Sequence, residues 1–314
     1  MNNTTSALSN QTTVQGWTAS FVAVITVSSV SFILNVGMLL AQFLPQMHIT
    51  SFTVYLIALS IANIVHFAVL RPVAVVFNTT GIWPGGHALC VVYSYVQAVV
   101  SNVPVFLHVL ISLNRLWALK YPALYRERHN KTLATLLCLG AVAYVHCVIL
   151  PVFLWEIDQS TLVPGICKLT FGNKKVWRFV DVTLHRLVPV VIVIGIYVYI
   201  MVKRLRRRRV IEDKMELQPP SSHQTTRTAA DDTAKRRRSQ RSKYVKQRKV
   251  KPFIVLTMTS ASVLVCWVPT DIYFVLLYAD VYTIRQTQLI FSVTTTIYSL
   301  QMASDPLMWL FSLR

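Results

Sequence analysis

Arg115, Arg186, Asp271 and Asp305 stand inside long apolar stretches, and Trp267 and Pro269 lie near the middle of one of them. A charge in such surroundings is costly, so it pairs, faces a cavity or serves a function. The chemistry open to this set is ion pairing and conformational switching rather than bond making. No run resembles a hydrolase, kinase or metal site, so an enzyme is not expected. His66 and His108 read as internal hydrogen-bonding groups, because no second ligand stands at metal-binding spacing. Proline within a helix removes one backbone hydrogen bond and bends the axis. Pro151, Pro189, Pro269 and Pro306 therefore mark bends, and Pro269, with bulky Trp267 just before it, is the candidate hinge.

The elements that position these residues are apolar segments of spanning length. About 20 apolar residues cross a bilayer as a helix, which satisfies every backbone group in lipid. Seven such segments fall at about 18–44, 53–77, 88–119, 132–154, 176–204, 250–278 and 287–311. An apolar share of 54% and a charged share of 14% agree with an all-α, seven-transmembrane helix bundle and leave little chain outside it. Residues 1–17 form an outer N-terminal segment, 18–311 the bundle, and 312–314 a vestigial tail.

Charge orients the bundle. Segment 203–251 holds 18 Lys and Arg against 5 Asp and Glu, which places the loop 205–249 in the cytoplasm. Lys120, Arg126, Arg128 and Lys131 fall on the same side, and the uncharged N-terminus falls outside. In a soluble chain the runs Arg206–Arg209 and Lys235–Arg238 would suggest nucleic acid; between two spans they read as positive-inside flanks touching anionic lipid. Ser239 and Ser242 sit among arginines, where phosphorylation would weaken that contact. Asn2, Asn3, Asn10 and Asn78 open glycosylation sequons, all on the outer side. Cys90 and Cys167 also lie outside, where a disulfide persists, while Cys138, Cys147 and Cys266 fall within spans as packing residues.

Landmarks in order along the chain now match one superfamily. Asn35, Leu59–Asn63, Trp83, Cys90, Arg115, Pro189 and Tyr197 precede Cys266-Trp267-Val268-Pro269 and Asp305-Pro306-Leu307-Met308-Trp309. From about residue 18 to 311 the sequence resembles a rhodopsin-like G-protein-coupled receptor. The resemblance implies a plasma-membrane, multi-pass protein that binds an extracellular ligand and activates a heterotrimeric G protein. Asn114, Arg115, Tyr197, Trp267, Pro269, Asp305, Pro306 and Trp309 would carry activation, through a swing of span six that uncovers Arg115.

The departures from that pattern are informative. Asn114 replaces the acid before Arg115, and Leu116 the tyrosine after it; Lys249 stands where some receptors carry a glutamate. No ionic partner for Arg115 remains there, so raised basal signalling is expected. Asn63 and Asp305 exchange the family's usual aspartate and asparagine, which suggests a core polar pair facing across the bundle. Pro104 replaces a small hydroxyl residue near that pair, so neither a sodium site nor another metal is expected. Arg186 and Asp271 sit at pocket depth, either as an internal ion pair or as contacts to a charged ligand group.

Span seven lacks the lysine that would bind retinal, and Gln97 stands where amine receptors of the family carry aspartate. With Thr270 and Asp271, Gln97 and Arg186 make up the expected pocket, suited to an uncharged or amidated ligand such as a neuropeptide. Leu59–Asn63, Asn78-Thr79-Thr80, Pro104–Arg115 (PVFLHVLISLNR), Val265–Pro269 and Asp305-Pro306-Leu307 are similar to gonadotropin-releasing-hormone receptors. They are more loosely similar to adipokinetic-hormone and vasopressin-type receptors, although Ala74, Thr270 and Asp271 differ from that pocket. A non-peptide ligand and, in a different class, a transporter are the alternatives; a transporter would show internal repeats or a charged path, and neither is seen. Only five residues follow Trp309, which leaves no room for an eighth helix or a palmitoylated cysteine.

Overall fold

The computed structural model describes residues 2–44, 49–80, 83, 85–157, 161–162, 167, 169–170, 179–180, 182–216, 258, 261–277 and 284–313. Its helices are α1 (Asn2–Gln42), α2 (Ser51–Thr80), α3 (His87–Lys120), α4 (Pro122–Arg128) and α5 (Lys131–Ile157), followed by α6 (Val188–Glu216), α7 (Ala261–Leu277) and α8 (Ile284–Leu313). Long apolar stretches within them are what make the long ones helical. Valine and isoleucine are modest helix formers in water, but in lipid the backbone has no other partner than itself.

Among the described residues, five stretches are long and apolar enough to cross a membrane: Phe21–Gln42, Ser51–Val73, His87–Lys120, Lys131–Pro151 and Thr183–Arg206. α7 is apolar but shorter. The architecture is a helical bundle, with one exception to an all-α reading. Thr161–Leu162 (β1) and Leu169–Thr170 (β2) pair antiparallel, with Thr161 opposite Thr170 and Leu162 opposite Leu169. This ribbon lies in the connection after α5, beside Cys167, whose disulfide to Cys90 ties that connection to the start of α3.

α3 is the centre of the bundle, and α2, α5 and α6 all pack against it. One of its faces joins Leu56, Leu59, Leu107, Ile111 and Val145 in an apolar cluster with α2 and α5. The other joins Val105 and Val109 to Val193, Val263, Trp267, Tyr298 and Met302 of α6, α7 and α8. Large apolar side chains such as Ile33, Leu136, Val191 and Val265 point outward, as a lipid-facing surface requires.

Two local features break the regular ladder. Thr183–Leu187 forms a π-helical turn immediately before α6. Pro189 has no N–H for the carbonyl of His185, and a wider turn accommodates that missing bond. At the end of the bundle away from the disulfide, His129 between α4 and α5 is walled by aromatic rings. Its ring stacks on Tyr125 at 4.5 Å between centroids and meets Trp117 edge-on at 5.5 Å. Its Nε2 lies 3.0 Å from the Tyr55 hydroxyl of α2, and its backbone carbonyl accepts a bond from Ser51. This knot fastens the α3–α5 connection to the end of α2.

Burial in that aromatic wall disfavours the imidazolium and lowers the pKa of His129 below the ordinary histidine value. The unfolded chain therefore binds a proton more readily, and stability is lost as pH falls through the ordinary value of about 6.5. In nanodiscs the thermal midpoint of wild type should fall between about pH 7.5 and about pH 5.5, and fall less in His129→Gln. Equal slopes for the two proteins would remove His129 from the explanation.

Candidate functional site

Asp305 of α8 gathers the core. Its carboxylate accepts from Gln301 Nε2 at 2.8 Å, from His108 Nε2 of α3 at 3.2 Å and from Asn63 Nδ2 of α2 at 3.4 Å. Asn63 also donates to Asn35 Oδ1 at 3.2 Å, and Asn35 donates in turn to the Met302 carbonyl at 2.9 Å. Four helices, α1, α2, α3 and α8, thus meet on one buried carboxylate. His108 and Asp305 are almost fully buried, so the pair is sheltered from water. A buried acid is tolerated only when donors or a cation answer it, and here an imidazole and two amides do so. The edge of the His108 ring faces Trp267 at 5.0 Å, which links this cluster to α7.

Above it lies a second polar group. Arg186, carried inward by the π-helical turn, approaches Asp271 of α7 at 3.6 Å. The separation exceeds a hydrogen bond, so the attraction is that of charges alone, and both Asp271 oxygens lack a hydrogen-bond donor among the described residues. The Arg186 guanidinium also lies over the rings of Phe274 at 5.3 Å and Tyr298 at 5.5 Å. Tyr298 donates to the Ser101 carbonyl of α3, and Arg71 of α2 donates to Ser299 at 3.1 Å. Thr270 spends its hydroxyl on the Thr294 carbonyl of α8, so it clamps α7 to α8.

At the end of α3 away from the disulfide, Arg115 has no acidic partner among the described residues. Its guanidinium lies 3.7 Å above the ring of Phe52. Neighbouring Asn114 is buried, and neither end of its amide finds a partner among the described residues. Tyr197 packs with Leu116, Ile196 and Ile200 nearby.

The comparisons decide the family at this point. A family model described as 7 transmembrane receptor (rhodopsin family) matches residues 34–309. The chain belongs to that family. The receptor is 24% identical over 190 residues to the histamine H1 receptor of Rattus norvegicus, a stretch covering 59% of this chain and 39% of that protein. It is 27% identical over 210 residues to the muscarinic acetylcholine receptor M4 of Xenopus laevis, covering 64% and 43%. With the N-arachidonyl glycine receptor of Rattus norvegicus it shares 25% over 163 residues, covering 50% and 49%. The receptor spans about two-fifths to half the length of these relatives. Membership makes it a multi-pass plasma-membrane protein and a receptor rather than an enzyme.

Among the residues singled out in the sequence, the receptor brings Asn63 to Asp305 and Arg186 to Asp271, and bonds Cys90 to Cys167. Trp267 and Pro306 are buried, whereas Gln97 is exposed. The side chains of Trp309, Asn2, Asn3, Asn10 and Asn78 lie outside the described residues, as do Lys249, Ser239 and Ser242 altogether. Sequence reasoning did not single out Arg71, Gln301 or Tyr298. Gln301 carried a usable signal, since it precedes Asp305 by one helical turn and therefore shares its face.

Leaving a buried hydrogen-bonding group without its partner costs about 1–3 kcal/mol, and more where the group is charged. Asp305→Asn alone strands His108, and Asn63→Asp alone sets two carboxylates together. Either change should reduce the cell-surface level of the receptor several-fold, while the double exchange should return it close to wild type. Additive losses in the double variant would show that the two positions do not communicate.

Proposed function

We propose that this receptor takes an extracellular neuropeptide or peptide hormone into the outer half of a seven-span bundle whose N-terminus lies outside. It then activates a heterotrimeric G protein as α7 swings about Pro269. The observation that supports this reading is the unbroken line of contacts on which α7 can act. Arg186 over Tyr298 leads to Trp267 at 6.5 Å from Tyr298, then to the His108 ring, then to Asp305. A ligand pressing on Asp271 or Tyr298 would move Trp267, and Trp267 lies against His108, which is hydrogen-bonded to Asp305. A rigid-body tilt of one helix is a common outcome when such a packed contact has two arrangements.

The peptide class is supported by the pocket. An amine needs a free carboxylate, and Gln97 offers none while Asp271 is already matched with Arg186. The relatives, receptors for histamine, acetylcholine and N-arachidonyl glycine by name, favour a small non-peptide ligand as a second reading. On the inner side, the helical extension of α6 carries Arg206–Arg209 beyond its apolar part. In our reading this basic stretch and the loop 205–249 rest on anionic lipid, and Ser239 and Ser242 regulate that contact.

Arg115 stacked on Phe52 rather than held by an acid supports a loosely restrained inactive state. A partly exposed ion pair is worth about 0–1 kcal/mol, so restoring one shifts a two-state equilibrium by up to about fivefold. Asn114→Asp should therefore lower ligand-free signalling by that order in transfected cells at matched surface level. A panel of amidated peptides, read as calcium or cyclic-nucleotide responses, tests the ligand class. Responses confined to small amines or lipids would replace the peptide reading with the second one.

A further inference from the structure

We propose that Arg71 is a binding point for an acidic group on the ligand, a carboxylate or a group of the same geometry, with Arg186 adjoining it. This rests on the proposed receptor function and adds to it the charge of the ligand.

No described acid answers the charge of Arg71. Three carboxylates have described side chains: Glu127, Asp271 and Asp305. Glu127 is exposed on α4, at the end of α3 opposite the disulfide, and Asp305 is committed to His108 in the core. That leaves Asp271, which lies against Arg186. Arg71 donates to Ser299 and has no carboxylate within ion-pair distance among the described residues.

Its surroundings fit a binding role better than a packing one. Arg71 lies 20 residues after Ser51, about 30 Å along α2, near the outer mouth of the bundle. Val73, two residues on, packs beneath Trp83 and the Cys90–Cys167 pair. An arginine at such a depth could turn outward and place its charge among lipid headgroups. This one turns inward instead, because its NH2 group donates to Ser299, whose side chain is buried on the inner face of α8. The Nε–H is buried and has no acceptor among the described residues. A guanidinium offers five N–H donors in a planar fork, which suits the two oxygens of a carboxylate. Arg186 lies over Tyr298, the residue preceding Ser299, so both cations converge on one turn of α8. The separation of Arg186 from Asp271 leaves its own donors able to share an anion.

Two sources could supply such a group: the free C-terminus or an acidic side chain of a peptide, and the head of a fatty acid. The test uses purified full-length receptor in nanodiscs without G protein, so its outcome is independent of whether signalling occurs. Decanoate, decanamide and decylamine form one set of probes, and N-acetyl-diphenylalanine as free acid and as amide forms the other. Apparent affinity is read from the saturable rise in thermal unfolding midpoint. At least one acid should bind more tightly than its amide, and the responding set identifies the source. Arg71→Gln should lower the affinity of that acid at least tenfold, to the level of the amide, and leave the amide unchanged. Arg71→Lys keeps the charge without the fork and should retain part of the preference; it carries the test if Arg71→Gln does not reach the nanodisc folded. Equal binding of acid and amide in both sets, or a full acid preference surviving in a folded Arg71 variant, overturns the assignment.

Discussion

Asp305 sets the terms for the rest of the bundle. A carboxylate at this depth cannot keep its charge unless it is answered, and the answer draws one residue from each of several helices. His108 of α3 and Asn63 of α2 approach it directly, Gln301 approaches from its own helix, and Asn35 of α1 arrives through Asn63. The apolar clusters on either side of α3 have no directional preference and would tolerate small rotations of their helices. The polar contacts do not. They favour the arrangement in which Asn63, His108 and Gln301 all reach the Asp305 carboxylate, and so convert a collapsed bundle into a specific one.

The same cluster explains why Trp267 is informative to the inner face. Its ring sits between an outer layer, where charges are close but not bonded, and a core layer, where they are bonded. Arg186 and Asp271 stand 3.6 Å apart, and the buried Asp271 oxygens lack a hydrogen-bond donor among the described residues.

Much of this was legible in the residues. The bounds of α3 reflect apolar composition ending at Lys120, and the exchange of Asn63 with Asp305 already suggested that the two share a site. The Arg186–Asp271 pairing could be guessed because two opposite charges at similar depth in lipid have few alternatives. Arg71 was not legible, because an arginine near the end of a span reads as an interfacial anchor, and only its bond to Ser299 shows that it turns inward. Thr270, expected in the pocket, donates its hydroxyl to the Thr294 carbonyl, a helix–helix bond that periodicity cannot reveal. The outer ribbon of β1 and β2 had no signal, since two residues per strand are too few for an alternating pattern.

The wide turn at Thr183–Leu187 has a consequence for how this receptor can change over evolutionary time. A π-helical turn amounts to a helix holding one surplus residue, so it uncouples the angular settings of the two stretches it joins. Loss of a single residue there would regularise the coil and leave Pro189 and α6 where they are, while everything on the approach side rotated by about 100°. Arg186 would then leave the company of Asp271 and Tyr298 without any substitution in the cavity itself. The side chain presented at this wall is thus set by residue count as well as residue identity.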